Sequence, residues 1–294
     1  MGCTSTIRVA LACDQDYLGR AAVTLCSVVL SADPSDVIQA HLMVEEGGQA
    51  VARVHVRALE EIALSRGIAF TCEVVTYSSE LFEGLPTGFD PGAASIFSTA
   101  VYARLLLPRV VPATWRELLY LDCDILVRGS LSPLFLIDLG ILPLAACVER
   151  YAPTVSAPQG IASWRELGLS PDLPYFNSGV QLMNLSVWRE EFIGERAIEY
   201  AREMFGQLLH LDQEALNAVV AGRFARLDDI WNATSYWRKR ERRATAAMDI
   251  LDVAIIRHFT GPYKPWERAG LSVPHAEEYR YVESVLRLAL GSAT

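Results

Sequence analysis

The amino-acid sequence predicts a single compact α/β domain with a mostly parallel sheet flanked by helices. The chain has 294 residues, of which 51% are apolar and 21% are charged. This length and composition allow one large core and exclude a mostly disordered chain. Short apolar runs alternate with amphipathic segments, which is the order of βαβ units. The formal net charge of −9 argues against a general nucleic-acid binder, because such proteins neutralise phosphates with basic side chains.

The predicted strands are short apolar runs that end at polar or turn-forming residues. The first run is rich in β-branched residues and is followed by Asp14, Gln15 and Asp16, which is typical of a buried parallel strand. In chain order, the predicted strands are Ile7–Cys13, Val37–Val44, Ile68–Val75, Leu118–Leu121, Ile125–Val127, Pro143–Val148, Val180–Leu185 and Val253–Phe259.

The predicted helices have apolar residues at helical spacing and end at helix-breaking residues. The first is followed by Asp33 and Pro34, and Gly67 ends the second. In chain order, the predicted helices are Arg20–Ala32, Gln49–Arg66, Ile96–Leu107, Trp188–Phe205, Asp212–Ala221 and Glu277–Leu290.

The cysteines and the apolar runs predict a location in the cytoplasm. None of the six cysteines forms a C-x-x-C pair, so we expect free thiols in a reducing compartment. No apolar run approaches the ~20 residues that span a bilayer. No basic segment followed by an apolar one marks a secretory signal.

A basic cluster at Arg238–Arg243 contrasts with the acidic chain, because it has five cations in six residues. Two interpretations stay open. The cluster is either a solvated helix face or a contact with the acceptor substrate or with anionic lipid at the inner face of the membrane.

Asp122 and Asp124 form the most informative pair in the chain, directly after the apolar run Leu118–Leu121. Side chains two residues apart in an extended chain point to the same side. Two like charges inside an apolar stretch need a proton or a cation to compensate them, and a divalent ion with oxygen ligands fits. An edge turn with both carboxylates in water is the alternative.

Two classes of enzyme use such a pair of aspartates. In haloacid-dehalogenase-like phosphatases, the first aspartate is the phosphoryl nucleophile and the second is the general acid. That element normally lies at the start of the chain, whereas here it lies near residue 122. In nucleotide-sugar-dependent glycosyltransferases of the GT-A type, the pair holds Mn²⁺ against the donor diphosphate.

Six short blocks, in one order, resemble retaining glycosyltransferase family 8, which contains glycogenin and bacterial lipopolysaccharide galactosyl- and glucosyltransferases. The blocks are Leu11–Tyr17, Tyr102–Leu105, Leu119–Asp124, Phe176–Val180, Leu211–Glu214 and His258–Trp266. The resemblance runs from about Ile7 to Trp266 and implies the Rossmann-like GT-A fold. It also implies a nucleotide-binding part at about 7–130, a sugar and acceptor part at about 131–270 and a terminal helix at about 276–290.

The resemblance implies a Mn²⁺ site, with Mg²⁺ as an alternative, formed by Asp122, Asp124 and His258. It places Lys264 on the donor diphosphate, where a compact ammonium supplies a point charge. Gly261 would let the backbone approach the phosphate.

The same resemblance implies contacts with a UDP-sugar donor. Asp14 suits the imide N–H of uracil, Asp16 suits the ribose hydroxyls, and Tyr17 offers a ring for stacking. These residues follow the first strand, at the edge where open α/β sheets bind nucleotides. Arg104 either contacts the donor or forms an internal salt bridge. The implied donor-binding residues are Ala12, Cys13, Asp14, Asp16, Tyr17, Arg104, Asp122, Cys123, Asn177, Asp212, Gln213, Gly261 and Lys264.

The hexose and its reaction are assigned by the resemblance to a second group of residues. Asn177 and Asp212 would bind the hexose hydroxyls, Glu149 would add a sugar contact, and Gln213 would face the anomeric carbon. Asp212 and Gln213 are therefore the predicted catalytic residues. The predicted reaction is retaining transfer of galactose or glucose from a UDP-sugar to a saccharide or glycolipid acceptor. Because an amide is a poor nucleophile, we expect front-face attack, with the departing phosphate taking the acceptor proton.

Three other functions stay open: a self-glucosylating protein like glycogenin, a phosphatase, and a non-catalytic nucleotide-sugar-binding module. The phosphatase has only Asp228 and Asp229 as further support. Two residues depart from the common family pattern. Asp16 stands where many relatives have Asn, which puts the ribose contacts in doubt, and Glu267 stands where some have His, which does the same for the acceptor geometry.

Overall fold

The computed structural model describes residues 5–87, 89–90, 95–96, 98–234 and 250–292. The basic cluster Arg238–Arg243 lies outside the described residues. The chain forms two compact units. Unit 1 comprises Met1–Thr76, Leu121–Ile137 and Asp228–Thr294, and unit 2 comprises Tyr77–Tyr120 and Asp138–Leu227. The single domain and the three parts that the sequence predicts stay predictions.

The regular elements are strands, α-helices and short 3₁₀ helices. The strands are β1 (Thr6–Cys13), β2 (Val37–Glu45), β3 (Ala69–Tyr77), β4 (Phe89–Asp90), β5 (Ser95–Ile96), β6 (Glu117–Leu121), β7 (Ile125–Val127), β8 (Leu144–Ala146), β9 (Val180–Asn184), β10 (Phe224–Arg226), β11 (Ala233–Thr234) and β12 (Ile256–His258). The α-helices are α1 (Leu18–Ser31), α2 (Gln49–Ser65), α3 (Leu107–Val110), α4 (Leu185–Glu190), α5 (Ile193–Glu203), α6 (Leu211–Val220) and α7 (Ala276–Ser292). The 3₁₀ helices are Ser79–Phe82, Thr99–Leu106, Ser132–Leu136, Asp229–Trp231 and Arg268–Gly270.

The strands confirm the predicted α/β class with a mostly parallel sheet. In unit 1, β1, β2 and β3 are neighbours in that order, and β1 and β2 are parallel along the whole of β1. A second, small sheet in unit 1 has the order β11-β12-β7. In unit 2 the order is β10-β8-β9-β6, where β10 and β8 are parallel and β8 and β9 are antiparallel. Helices α1, α2 and α7 pack together in unit 1, and α5 packs on α6 in unit 2.

The predicted helix Ile96–Leu107 is wrong. Residues Ser95–Ile96 form β5, and Thr99–Leu106 form a 3₁₀ helix that leads into α3. Pro108 has no backbone N–H to offer the carbonyl of Arg104. That carbonyl accepts instead from the N–H of Leu107, which is the shorter 3₁₀ pattern.

Two further predicted elements differ from the structure. The predicted helix Trp188–Phe205 is two helices, α4 and α5, because the backbone of Phe192 is left-handed, with φ 55°. The predicted strand Val253–Phe259 shrinks to β12, since residues 250–253 are helical. Strand β10, of three residues, was not predicted, because so short a run has no distinctive periodicity.

Helix α1 holds the backbone around β7 through hydroxyl side chains on one of its faces. The buried Thr24 hydroxyl shares its one proton between the carbonyls of Cys123, at 3.1 Å, and of Ile125, at 2.9 Å. Three residues later on the same helix face, the Ser27 hydroxyl accepts the N–H of Val127 at 2.9 Å. Hydrogen bonds from α1 therefore fix the backbone of the turn that carries Asp122 and Asp124.

Five of the cysteines are free thiols: Cys13, Cys26, Cys72, Cys123 and Cys147. Within the described part of the chain, no helix combines the length and the apolarity that a membrane span requires.

We expect Thr24→Val to destabilise the protein by about 1–3 kcal/mol, because the substitution leaves two buried carbonyls without their donor. Denaturant unfolding followed by circular dichroism measures this loss. The control is Thr71→Val on the exposed side of β3, which should change the free energy of unfolding by no more than about 0.5 kcal/mol. Equal stability of the two variants would contradict the role of the Thr24 hydroxyl.

Candidate active site

Unit 1 brings the three predicted metal ligands together. Asp122 and Asp124 follow β6, and His258 ends β12, which pairs antiparallel with β7 so that His258 lies opposite Ile125. The Nε2 atom of His258 lies 3.1 Å from Oδ1 of Asp124 and 3.6 Å from Oδ2 of Asp122. One ligand atom from each side chain lies within 4.8 Å of the others. Strand pairing therefore supplies an imidazole from a distant part of the chain.

The donor set fits a hard divalent cation. Two carboxylates and one imidazole are oxygen and nitrogen ligands, which suit Mg²⁺ and Mn²⁺ better than thiophilic ions. Among the described residues, this is the one group of three or more acidic, histidine or cysteine side chains arranged to hold a metal. The three residues are therefore a candidate divalent-cation site.

The ring of His258 is oriented by Asn232. The Nδ1 atom of His258 lies 2.9 Å from Oδ1 of Asn232, and both side chains are buried. With Nδ1 directed at this amide oxygen, the Nε2 edge of the ring faces the two carboxylates. Metal-binding histidines commonly have such a hydrogen bond from the second ring nitrogen, which fixes the orientation of the ring. Asn232 has no sequence pattern that could have revealed this role.

Lys264 is bound to Asp124. Its Nζ lies 2.5 Å from Oδ2 of Asp124 and donates to the carbonyl of Phe259 at 2.8 Å. Burial alone would raise the pKa of Asp124, but the Lys264 ammonium and His258 outweigh it and hold this pKa below its usual value. Asp124 is therefore ionised, with His258 at one carboxylate oxygen and Lys264 at the other.

The residues after β1 form a tight turn. The carboxylate of Asp14 accepts the backbone N–H of Tyr17 at 2.9 Å. Asp16 is exposed, and Tyr17 is 41% exposed with its ring 6.2 Å from that of Trp266, edge to face. The Cys123 thiol donates to the carbonyl of Ala12 at 3.5 Å, within the same unit. The Tyr17 ring is therefore partly exposed, with its position set by the turn and by Trp266.

Gly261 adopts φ 80°, a left-handed conformation that favours glycine. It lies three residues after His258, in the segment that leads to Lys264. The family resemblance predicts that the backbone of Gly261 approaches a phosphate. The structure shows a backbone conformation at this position that favours glycine.

Unit 2 brings the predicted hexose residues together at the start of α6. Arg104 is buried, and its Nε lies 3.3 Å from Oδ2 of Asp212. Its guanidinium also donates to the carbonyl of Ser178 at 3.2 Å and stacks 4.5 Å above the ring of Tyr120. Of the two roles left open for Arg104, the structure therefore shows the internal salt bridge.

Gln213 is oriented by the backbone of Ser178. The N–H of Ser178 donates to Oε1 of Gln213 at 3.0 Å. Because a backbone N–H can only donate, this contact identifies the oxygen end of the amide. The Gln213 side chain also interacts with the hydroxyl of Tyr175, whose burial raises its pKa. Ser178 and Tyr175 were not predicted as functional residues, although Ser178 lies in a block that the sequence singled out.

Asn177 and Glu149 form a further pair in unit 2. The amide of Asn177 donates to Oε2 of Glu149 at 2.7 Å, and its oxygen accepts the N–H of Gly179 at 3.0 Å. The structure therefore joins Glu149, which the sequence placed only loosely, to a residue of a motif block.

The comparisons with known proteins identify the family. A sequence profile of glycosyl transferase family 8 matches residues 8–270. A putative glycosyltransferase of Haemophilus influenzae is 28% identical over 205 residues, which cover 68% of this chain and 58% of that protein. The lipopolysaccharide 1,3-galactosyltransferase of Salmonella typhimurium is 26% identical over 273 residues, covering 89% of this chain and 73% of that protein.

Solved structures agree with this result. The galactosyltransferase LgtC, crystallised in complex with donor and acceptor sugar analogues, superposes with a TM-score of 0.73, at 26% identity and 95% coverage of both chains. The chain therefore belongs to glycosyltransferase family 8 and is a hexosyltransferase with the GT-A fold.

We expect Asn232→Ala to weaken divalent-cation binding by about 10- to 100-fold, because the His258 ring loses the partner that orients it. Electron paramagnetic resonance of free Mn²⁺, titrated with protein in the absence of donor, measures the affinity. Asn232→Asp keeps an acceptor oxygen and should bind Mn²⁺ at least as tightly as the wild type. Asn184→Ala, at the start of α4, is the matched control. Wild-type affinity in Asn232→Ala would contradict the orienting role.

Proposed function

We propose that the chain is a retaining glycosyltransferase that moves galactose or glucose from a UDP-hexose to a saccharide acceptor of the lipopolysaccharide type, with Mn²⁺ as cofactor. The observation that carries the proposal is the group of Asp122, Asp124 and His258, with Lys264 on the same carboxylate. The Salmonella relative is a lipopolysaccharide galactosyltransferase, and the LgtC structure contains donor and acceptor sugar analogues. Both support a nucleotide-sugar donor and a saccharide acceptor.

The residues of unit 1 suit the nucleotide and the diphosphate. A Mn²⁺ ion held by Asp122, Asp124 and His258 would supply positive charge as the bond between the sugar and the phosphate breaks. Lys264 would add an ammonium to the same phosphates. The exposed ring of Tyr17 offers a stacking surface for uracil. The carboxylate of Asp16 is also exposed and would accept hydrogen bonds from the ribose hydroxyls.

The residues of unit 2 suit the hexose. Asp212 and Asn177 are buried polar side chains that already hydrogen-bond within the protein, so they are held in fixed rotamers. The amide oxygen of Gln213 accepts from the backbone N–H of Ser178, which orients the side chain, and an amide is a poor nucleophile. This arrangement supports front-face attack, in which the departing phosphate takes the acceptor proton. The Haemophilus and Salmonella relatives carry glycosyltransferase names, and they give no support to a phosphatase, a binding module or a self-glucosylating protein.

A panel of UDP-sugars tests the proposal. Wild-type protein should release UDP from UDP-galactose or UDP-glucose when Mn²⁺ is present and not when it is chelated. The preferred donor is then offered to saccharide acceptors, and the anomeric configuration of the product is read by nuclear magnetic resonance. Metal-independent release, or a product of inverted configuration, would contradict the proposal.

Two substitutions separate the roles of the two units. Asp124→Asn removes one ligand charge and the partner of Lys264, so both Mn²⁺ affinity and kcat should fall, kcat by about 100-fold or more. Asp212→Asn should lower kcat by about 100-fold and leave Mn²⁺ affinity unchanged. Steady-state kinetics and Mn²⁺ titration measure these effects.

The exposed Asp172 provides the control for both, since Asp172→Asn should behave as wild type. If Asp212→Asn keeps full turnover while Asp124→Asn abolishes it, the hexose role is wrong and the metal role survives.

A further inference from the structure

Glu214 is a fully buried carboxylate that the proposed reaction does not use. Its side chain is 0% exposed. Oε1 accepts the backbone N–H of Ala162 at 2.8 Å, and Oε2 accepts the backbone N–H of Leu209 at 2.7 Å. In the described part of the chain, no cationic side chain forms an ion pair with it. A buried charge of this kind persists only when hydrogen bonds satisfy it, and here backbone donors do so.

The two hydrogen bonds join two segments to the start of α6. Residues 204–210 connect α5 to α6, and Leu209 lies near the end of that connection. Ala162 lies 52 positions before Glu214 in the chain, in the irregular segment between β8 and β9. Glu214 stands directly after Asp212 and Gln213. The carboxylate is therefore a clamp between two loops, placed beside the predicted catalytic pair.

The backbone at this point is strained. Leu211, the first residue of α6, has φ 39°, a left-handed conformation that leucine rarely adopts. His210, which precedes it, forms no side-chain cap to the helix. Strained residues of this kind persist where the surrounding structure holds them, and they cluster at functional sites. The bond from Leu209 to Glu214 spans the strained residue and closes the turn around it.

The next turn of α6 is also attached to another segment, through the side chain of Asn217. Oδ1 of Asn217 accepts the N–H of Phe176 at 2.8 Å, and Nδ2 donates to the carbonyl of Phe176 at 2.9 Å. Two residues after Phe176, the N–H of Ser178 binds Gln213. A shift of the first turn of α6 would therefore break the contact that orients the Gln213 amide.

We propose that Glu214 is a positioning residue, which clamps residues 162 and 209 so that the strained start of α6 presents Asp212 and Gln213 to the hexose. Glu214 does not touch the donor, because both of its oxygens are occupied and its side chain is closed to solvent. The inference rests on the proposed roles of Asp212 and Gln213.

Glu214→Gln tests the clamp with almost no change of shape. A glutamine has one acceptor oxygen, so its NH₂ group must face one of the two backbone N–H donors. We expect faster amide hydrogen exchange in peptides that cover residues 158–166 or 204–211. We also expect kcat to fall by about 10- to 100-fold, because a small misplacement of reacting groups has an effect of this size. UDP and Mn²⁺ affinities, which depend on unit 1 in the proposed function, should stay within about twofold of wild type.

Glu203→Gln is the matched control, because Glu203 is an exposed glutamate at the end of α5. Its kcat and exchange pattern should equal those of the wild type. If Glu214→Gln does not fold, Glu214→Asp carries the test: its shorter carboxylate should release one of the two segments and give a smaller loss of kcat.

Three outcomes overturn the inference: wild-type kcat in the variant, unchanged exchange in both segments, or a parallel loss of kcat and UDP affinity, which is the sign of general destabilisation. If the wild type transfers no hexose from any UDP-sugar, the proposed function fails instead. The exchange measurement then decides on the clamp alone.

Discussion

The arrangement of unit 1 depends on compensating the charge of two neighbouring carboxylates. Asp122 and Asp124 lie between the buried strands β6 and β7, where two like charges destabilise the fold unless cations or donors offset them. His258, the last residue of β12, and Lys264, in the segment after β12, reach the two oxygens of Asp124. The pairing of β12 with β7 therefore brings a compensating group to the aspartate pair and assembles the candidate site for a divalent cation.

Unit 2 depends on a different constraint, the satisfaction of buried polar backbone. Three polar side chains on the first two turns of α6, Gln213, Glu214 and Asn217, each bind backbone groups from other segments. Each of these hydrogen bonds replaces one that the buried group would make with water. Losing one would leave a buried donor or acceptor unsatisfied and would lower the stability of the fold. The same contacts fix the rotamers around Asp212. The polar groups that stabilise the fold of this region therefore also give its side chains a defined geometry.

The sequence predicts those parts of the site that depend on local spacing. The two-residue separation of Asp122 and Asp124 is visible in the chain, and the family blocks place His258, Asp212 and Gln213. Asn232 and the clamp at Glu214 were not predicted, because their partners are 26 and 52 residues away and follow from tertiary packing. The break at Phe192 was missed for another reason: a left-handed backbone in a non-glycine residue has no sequence signal.

The choice of lysine at position 264 follows from its place beside Asp124. An arginine there would bind both carboxylate oxygens through its planar fork, and it would displace His258 from Oδ1. A lysine has a compact charge that occupies Oδ2 alone, so His258 keeps its own contact at 3.1 Å. Its flexible stem also lets the ammonium follow negative charge over a short distance. In the proposed reaction, the same group can neutralise Asp124 before the donor binds and then also meet the diphosphate, because an ammonium has three N–H donors and Asp124 and Phe259 take two of them.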